Sequence, residues 1–292
     1  MHYSKIALTP EEHLHRLWAG GLIIDHPDAA KEALEHIGYF RLLIYMRNFQ
    51  DPGTKKFYSR TKFSQIVELY TFDRDLRLLI MDAIERIEVA LRSSFSTKLG
   101  VIHGPHWHMD KTCYEKINGF FDTLRKVIDE AGPSKRHKWV ALDHYYTHYD
   151  RPDLPPVWVV LEKMSFGSLS QLFEALKIAN RKAVAKAFNY DQTVLKSWFH
   201  SLNAIRNQCA HHGQLWNTHL SFEPSPLNTA QSDFVSPTRL YCRMVVMHLL
   251  LDQVSPGNNW VDRLEKLLMS CSHVTLLSLG FPPKWRQRSV WN

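Results

Sequence analysis

The 292-residue sequence contains few cysteines and no long apolar run. Its four cysteines lie far apart and show no C-x-x-C spacing, which excludes the usual pattern of a disulfide framework or a zinc ribbon. No stretch approaches the roughly 18 consecutive apolar residues of a membrane helix, and the N-terminus MHYSKIALTPEEH lacks the apolar core of a secretion signal. We therefore expect a cytoplasmic protein with reduced thiols and no membrane contact.

Strand signals are also scarce in this chain. Apolar residues instead recur at three- and four-residue spacing through most of the sequence, and no internal repeat or low-complexity segment is present. The hydrophobic fraction of 45% is sufficient for a buried core. The pattern predicts an all-α protein.

Positive charge is in moderate excess. The formal net charge is +7, from 36 Lys and Arg against 29 Asp and Glu. This balance favours a polyanionic partner such as nucleic acid. Many basic proteins bind no polyanion, so the charge alone does not identify the partner.

Capping and helix-breaking residues predict where the main helices begin and end. The sequence TPEE at 9–12 combines an N-cap threonine, a proline at the first helical position and a capping-box glutamate, and Gly20 ends that helix. A second helix runs from Pro27 to Gly38, and the longest covers 63–99. Further helices are predicted near 111–130, 156–164, 168–188, 191–211, 237–254 and 259–271.

No clear composition shift divides the chain, so we expect one helical domain over 1–292. Within it we distinguish a possible N-terminal subregion at 1–60, a helical core at 61–275 and a basic tail at 276–292. The stretch 212–237 is the longest without helical periodicity, and loops of that length are often functional.

The stretch IRNQCAHHGQLWN at 205–217 concentrates polar residues at the end of the helix predicted over 191–211. Asn203, Asn207 and His211 follow one another at i+4 spacing and share a face beside the apolar stripe, while Arg206 lies about 100° from Asn207 around the helix. Gly213 suits the left-handed residue that follows a helix end. His211 would then lie in the last turn, where the macrodipole favours its protonated form.

These residue types suit metal-independent RNA cleavage. Arginine is a permanent planar cation that matches phosphate oxygens, histidine transfers protons near neutral pH, and asparagine orients either one. In this reaction the ribose 2′-hydroxyl attacks its own phosphate, so one proton is removed and another is delivered to the leaving 5′-oxygen. One histidine fills only one of these roles per step.

Spacing alone does not separate a reactive site from a polar helix end. The pattern R-x(4–6)-H occurs three times, as Arg206–His211, Arg206–His212 and Arg243–His248. About three occurrences are expected by chance from the Arg and His content. A capped helix end is therefore as compatible with the spacing as a nuclease site, and Arg243, in the apolar segment YCRMVVMHLLL, is expected to pack in the core with its charged end snorkelling outward.

The wider string RNQCAHHGQLWN closely resembles the signature of the Abi-like family of bacterial abortive-infection proteins, the AbiD and AbiF group. Blocks at 22–49, 63–95 and 154–176 resemble that family in the same order, so the resemblance spans most of 14–250. The chain departs from the family pattern at Gln214 and Gly20, where the family has arginine. The loss at 214 removes a possible phosphate contact.

The resemblance implies membership of the HEPN superfamily, that is, a HEPN-type helical bundle with additional N-terminal and C-terminal helices, its core at 61–275. Arg206, Asn207 and His211 then take the catalytic motif positions, with His212 as an adjacent alternative. Active HEPN ribonucleases pair two such motifs across an interface. Because this chain has one credible copy, the resemblance implies a homodimer in which the motif helices meet about a twofold axis.

The function implied is a metal-independent endoribonuclease toxin of phage defence, with RNA as its substrate and no cofactor. Some family members lie beside a structured noncoding RNA that restrains them, so such an RNA is a possible antitoxin. The alternative is a non-catalytic RNA-binding protein that holds a structured noncoding RNA. A third interpretation is a helical interaction protein whose polar helix end is only a dimer contact.

Several residues outside the catalytic set are candidates for RNA contact. They are His212, Gln214, Trp216, Asn203, Arg74, Arg77, Lys135, Arg136 and Lys138. The lysines and Arg136 belong to KRHKWVALDHYYTHYDR, where cations alternate with aromatic residues as in proteins that track a strand and stack its bases. A solvated, partly packed helix is the alternative there, and a surface salt-bridge face is the alternative for Arg74 and Arg77.

Two further clusters contain residue types that bind phosphate or metal ions. In the C-terminal sequence PPKWRQRSVWN, the cations Lys284, Arg286 and Arg288 either contact phosphate or belong to a disordered tail. HGPHWH at 103–108, with Cys113, has histidines but a proline and no matching second cluster, so we expect no metal site.

Overall fold

A computed structural model describes residue 2 and residues 6–292 of the chain. Residues 1 and 3–5 of the predicted N-terminal subregion lie outside the described part. The described part of the chain is all α, as predicted, because it contains no β-strand and only isolated β-bridges. No helix within it has the length and apolar character needed to cross a bilayer. Its thirteen α-helices are α1 (Pro10–Ala19), α2 (Pro27–His36), α3 (Tyr39–Met46), α4 (Phe63–Ser94), α5 (Gly100–His103), α6 (Ile117–Ala131), α7 (Val140–His148), α8 (Val157–Leu161), α9 (Phe166–Ala175), α10 (Ile178–Ala185), α11 (Gln192–Ala210), α12 (Leu240–Val254) and α13 (Trp260–Met269).

The long helix α4 lies at the centre of the bundle. Its apolar side chains recur every three or four residues, so they form one stripe that is buried almost completely. The helix packs against α3, α11, α12 and α13 and continues into a π-helical turn, Phe95–Leu99. The predicted helix over 63–99 is thus confirmed, and it aligns the helices that carry the site.

The first helix begins as its sequence predicts. The backbone N–H of Glu12 donates to Thr9 Oγ1 at 3.2 Å, and the backbone N–H of Thr9 donates to Glu12 Oε2 at 2.7 Å. This reciprocal pair is a capping box, and it satisfies two backbone donors that the helix itself leaves free. Local sequence therefore sets this boundary.

The helix predicted over 168–188 is wrong, because the structure divides it into α9 and α10. Leu176 between them is extended, with ψ of 152°. There the chain pairs with a distant segment: the N–H of Lys177 donates to the Cys113 carbonyl at 3.0 Å, and that of Glu115 donates to the Ala175 carbonyl at 2.9 Å. The same pairing explains why the helix predicted from 111 begins only with α6.

The C-terminal tail packs against the bundle. Trp285 and Trp291 are buried, and the indole N–H of Trp291 donates to the hydroxyl of Tyr241 at 3.1 Å. Arg288 Nε donates to the buried carboxylate of Asp233 at 2.6 Å. The alternative of a disordered tail is therefore wrong, and Arg288 is occupied by a structural ion pair.

Arg243 lies fully inside the protein, so the expectation that it snorkels outward is wrong. Its guanidinium donates to the carbonyl oxygens of Ser221 at 2.9 Å and Phe222 at 3.0 Å, and these bonds tie the 220–222 segment to α12. His248, the other half of this R-x(4)-H match, stacks on Trp291 with ring centroids 4.9 Å apart. This copy of the pattern is structural.

We expect the central helix to tolerate truncation only on its outer face. Ile84→Ala empties a fully buried position of α4 and should lower the free energy of unfolding by about 2–5 kcal/mol. Val89→Ala, on the same helix but 52% exposed, should change it by less than about 0.5 kcal/mol. Urea unfolding measures both, and equal losses would contradict the packing described here.

Candidate functional site

Helix α11 presents a buried face and a polar face. Its N-terminus is capped by Asp191, whose Oδ1 accepts the backbone N–H of Thr193 at 2.7 Å. The apolar stripe predicted from the sequence is buried against α4 and α9, and it comprises Leu195, Trp198, Phe199, Leu202, Ile205 and Cys209. Of the polar residues between these positions, Lys196, His200 and Asn207 are exposed, whereas Ser201 is buried.

The end of α11 is a Schellman motif. The N–H of His212 donates to the Cys209 carbonyl at 3.0 Å, and the N–H of Gly213 donates to the Gln208 carbonyl at 2.7 Å. The left-handed residue is His212, with φ of 57°, so the assignment of that conformation to Gly213 was wrong. Glycine is needed at 213 for another reason, since a Cβ there would lie 2.8 Å from Gln208 Cγ.

The three predicted catalytic residues lie within the last turn and cap of α11. His211 is the C-cap residue, and both it and Asn207 are exposed, whereas Arg206 is half-buried. Arg206 Nη1 lies 3.5 Å from Asn207 Oδ1 and donates to it. Arg206 Nε and Asn203 Oδ1 are buried and have no hydrogen-bond partner within the described residues. The motif therefore combines exposed polar groups with unused hydrogen-bonding capacity.

A buried carboxylate holds the turn that follows α11. Asp73 on α4 is fully buried and accepts the backbone N–H of Trp216 at 2.7 Å and that of Leu215 at 3.1 Å. It also accepts the hydroxyl of Tyr45 at 2.7 Å and the guanidinium of Arg77 at 2.6 Å. One side chain thus connects α3, α4 and the segment after the motif helix.

Two arginines bind the same turn through its carbonyl groups. Arg77 Nη1 donates to the Gly213 carbonyl at 3.2 Å, and Arg41 Nη1 donates to the His212 carbonyl at 3.0 Å. The interpretation of Asp73 and Arg77 as a surface salt bridge was therefore wrong. Nothing in the sequence indicated that Arg41 belongs to the site, because its contact and that of Arg77 with the turn join residues more than 130 positions apart.

Burial determines which groups of this network can ionise. Burial raises the pKa of Asp73, while the hydrogen bonds from Tyr45 and Trp216 and the charge of Arg77 act in the opposite direction. Burial also raises the pKa of Tyr45, so it remains a phenol that donates to Asp73. For Cys209, burial raises the thiol pKa to about 12, which excludes it as a nucleophile near neutral pH.

A cationic pocket opens beside the end of α11. Its volume is about 560 Å³, and its lining includes Arg41, Arg74, Arg77 and His212. Arg74 pairs with the exposed Asp75 at 2.9 Å, and Arg77 pairs with the buried Asp73, which is not part of the pocket lining. Apolar side chains complete the lining, namely Tyr70, Leu78, Met81, Cys209 and Ala210. The arrangement suits an anionic ligand with an apolar or aromatic part.

The structure separates the candidate RNA contacts into three groups. Arg74, His212 and Asn203 lie at the motif or its pocket. Trp216 is buried and Gln214 Nε2 donates to the Trp216 carbonyl at 2.8 Å, so both residues shape the turn. Arg77 is buried except where it lines the pocket, and contact of these three residues with RNA stays a prediction. The third group, Lys135, Arg136 and Lys138, lies in the 3₁₀ segment Pro133–Lys138, packed against α6 and α7.

Within that third group, Arg136 is engaged by its own segment. Its Nε donates to Asp143 Oδ1 at 3.2 Å and its Nη2 donates to the hydroxyl of Thr147 at 3.0 Å. The neighbouring Trp139 ring is covered by the ammonium of Lys163, 3.5 Å from the ring centroid. These contacts favour the partly packed helix that was the alternative interpretation.

In HGPHWH the rings of His106 and His108 lie near each other, with centroids 6.1 Å apart. His103 Nε2 lies 2.8 Å from Asn180 Oδ1, whereas His108 is buried and burial lowers its pKa to about 3. Among the described residues, no group of three His, Cys, Asp or Glu side chains is placed to hold a metal ion.

Comparison with known proteins yields one match. A family model described as Abi-like protein matches residues 32–217, which is more than half of the chain and includes α3, α4, α11 and the turn after it. No curated protein and no solved structure matches the chain.

Replacement of the buried carboxylate should destabilise the protein. Asp73→Asn leaves Arg77 without its charge partner in a buried site, which should lower the free energy of unfolding by about 3 kcal/mol. Asp75→Asn removes the same charge from an exposed pair and should cost less than about 1 kcal/mol. Urea unfolding compares the two, and an Asp73→Asn protein as stable as its parent would contradict the network.

Proposed function

The chain belongs to the Abi-like protein family, and from this premise we propose that it is a metal-independent endoribonuclease toxin of phage defence, with a HEPN-type site at the end of α11. Family membership itself suggests the role in abortive infection. The observation that carries the nuclease proposal is the grouping of Arg206, Asn207 and His211 on one helix end, next to a cationic pocket.

Each motif residue has a distinct task in this proposal. Arg206 stabilises the charge that builds up on the phosphoryl oxygens, and Asn207 orients its guanidinium through the contact at 3.5 Å. His211 is exposed and transfers a proton to or from the reacting oxygens. The buried thiol of Cys209 takes no part, since its pKa is about 12.

The reaction is an intramolecular transesterification, in which the phosphate passes from the 5′-oxygen to the 2′-oxygen. The ribose 2′-oxygen loses its proton and forms a bond to phosphorus, and the bond from phosphorus to the 5′-oxygen breaks as that oxygen gains a proton. The products are a 2′,3′-cyclic phosphate and a 5′-hydroxyl. The two proton transfers need two groups in the same step, and a single His211 supplies one.

We propose that a second copy of the chain supplies the other histidine. Leu78 lines the cationic pocket and is 55% exposed, and Phe40, next to Arg41 on α3, is 74% exposed. A contiguous exposed apolar patch marks a protein contact, and we propose that Leu78 and Phe40 belong to such a patch. A twofold axis through this surface brings two copies of His211 to one phosphate.

RNA is the proposed partner, and a structured noncoding RNA is the proposed restraining antitoxin. The alternative function, a non-catalytic protein that holds such an RNA, draws on the same cationic pocket. The two differ in the fate of the RNA, which the following experiment measures. We place the activity in the cytoplasm.

His211→Ala should abolish RNA cleavage and growth arrest, because general acid–base catalysis contributes about 10²–10⁴-fold. The comparison variant is His212→Gly, which tests the alternative assignment by removing the adjacent imidazole at a position whose φ of 57° glycine adopts easily. Cleavage is measured on purified protein with EDTA present, and the products are tested for a 2′,3′-cyclic phosphate.

The result has three informative forms. Full activity of the His211→Ala protein refutes the assignment of His211. Loss of activity only in His212→Gly moves the catalytic role to the neighbouring histidine. Intact RNA that co-purifies with the parent protein and is never cut supports the binding protein instead.

The dimer proposal is tested by introducing a negative charge at an exposed apolar residue that lines the pocket. Leu78→Glu should convert a dimer to a monomer, as measured by light scattering, and should abolish cleavage because the second His211 is lost. Val101→Glu, at an 85% exposed position on α5, is the control and should remain dimeric. A parent protein that cleaves RNA as a monomer would overturn the shared site.

A further inference from the structure

A second cleft lies at the opposite end of α11 from the motif. Its volume is about 500 Å³, and it is bounded by α6, by the C-terminal end of α9, by α10 and by the first turns of α11. Five cations line it, against three carboxylates. The cations are Lys116, Arg125, Lys126, Arg181 and Lys196, and the carboxylates are Glu115, Asp122 and Glu174.

Pairing inside the cleft leaves an excess of positive charge. Lys196 pairs with Glu174 at 2.7 Å and Arg125 pairs with Asp122 at 3.3 Å, which neutralises two carboxylates. Within the described part of the chain, Lys116, Lys126 and Arg181 take part in no salt bridge, and Glu115 is the remaining carboxylate of the cleft lining.

Two of these cations are incompletely satisfied. Arg181 Nη1 donates to the Glu174 carbonyl at 2.9 Å, but its Nε is buried and has no hydrogen-bond partner among the described residues. Burial lowers the pKa of Lys126, so an anion bound in the cleft would restore part of the stabilisation that its ammonium lost on leaving water. Both features indicate a place for a negative ligand.

A line of polar side chains connects this cleft to the motif. Lys196, His200, Asn207 and His211 lie on one side of α11, close to whole turns apart, and all four are exposed. A smaller adjoining cavity shares Glu174 and Lys196 with the cleft and extends it to His200. From Lys196 to His211 the helix rises by about 22 Å.

We propose that the cleft between α6 and α9 is a distal subsite for the RNA backbone, joined to the site of cleavage along the exposed side of α11. The proposal rests on the nuclease function and deepens it, because it defines the substrate as a single strand long enough to reach both ends of the helix. The cleft offers ammonium and guanidinium groups for phosphate and no exposed aromatic lining for bases, so it binds without regard to sequence.

The test compares two double variants that remove the same charge. Lys116→Gln/Lys126→Gln alters the cleft, and Lys55→Gln/Lys56→Gln alters an exposed turn between α3 and α4. Both are made in the His211→Ala background, so that bound RNA is not cut. Binding of a fluorescent twelve-nucleotide single strand is measured at several salt concentrations.

The cleft variant should bind more weakly. The slope of the logarithm of the association constant against the logarithm of salt concentration is negative, and it should become less steep by about 1.4, since each of two lost phosphate contacts to a single strand contributes about 0.7. The turn variant should keep the parent slope. Equal slopes and affinities for the two variants overturn the subsite. Tighter binding of a duplex than of the single strand by the parent overturns the stated substrate.

The outcome also separates this proposal from the one it rests on. If the cleft variant shows the expected loss but the parent with His211 intact cuts no RNA, the nuclease function fails and the RNA-binding subsite stands. If the parent cuts RNA and the cleft variant binds normally, the nuclease function stands and the RNA-binding subsite fails. A parent that binds no RNA overturns both.

Discussion

The buried carboxylate of Asp73 is the constraint on which the geometry of the site depends. A charge inside a protein is costly unless ion pairing and hydrogen bonds replace its water. Asp73 meets that requirement through partners on three parts of the fold. It pairs with Arg77 of α4, accepts the hydroxyl of Tyr45 on α3, and accepts the backbone N–H groups of Leu215 and Trp216 in the turn. None of these elements can shift without leaving the charge unsatisfied, so the end of α11 is held rigidly to the centre of the bundle.

Local sequence predicted those parts of the fold that local physics determines. The capping box at Thr9, the central helix over 63–99 and the buried stripe of α11 all depend on neighbours within a few turns. The break at Leu176 and the partners of Asp73 depend on segments far away in sequence, so spacing carried no sign of them. The left-handed conformation of His212 was missed because glycine, the usual occupant, stood one residue later.

The two R-x(4)-H matches show why a short pattern does not define a site. Arg243 donates through both of its terminal nitrogens to carbonyl oxygens inside the protein, and His248 stacks on a buried tryptophan. Arg206 and His211 have the same spacing but lie at a surface helix end next to a cationic pocket. The difference is one of environment, and family membership was recognised in the sequence only from the longer ordered blocks around the motif.

The two arginines that bind the turn after α11 have an electrostatic consequence. The last carbonyl groups of a helix carry a partial negative charge, equivalent to roughly half an electron, which repels a phosphodiester. Arg41 places a full positive charge against the oxygen of His212, and Arg77, whose charge is balanced by Asp73, donates to the oxygen of Gly213. These contacts offset the partial negative charge of the helix end, and in the proposed function they allow a phosphodiester to approach it.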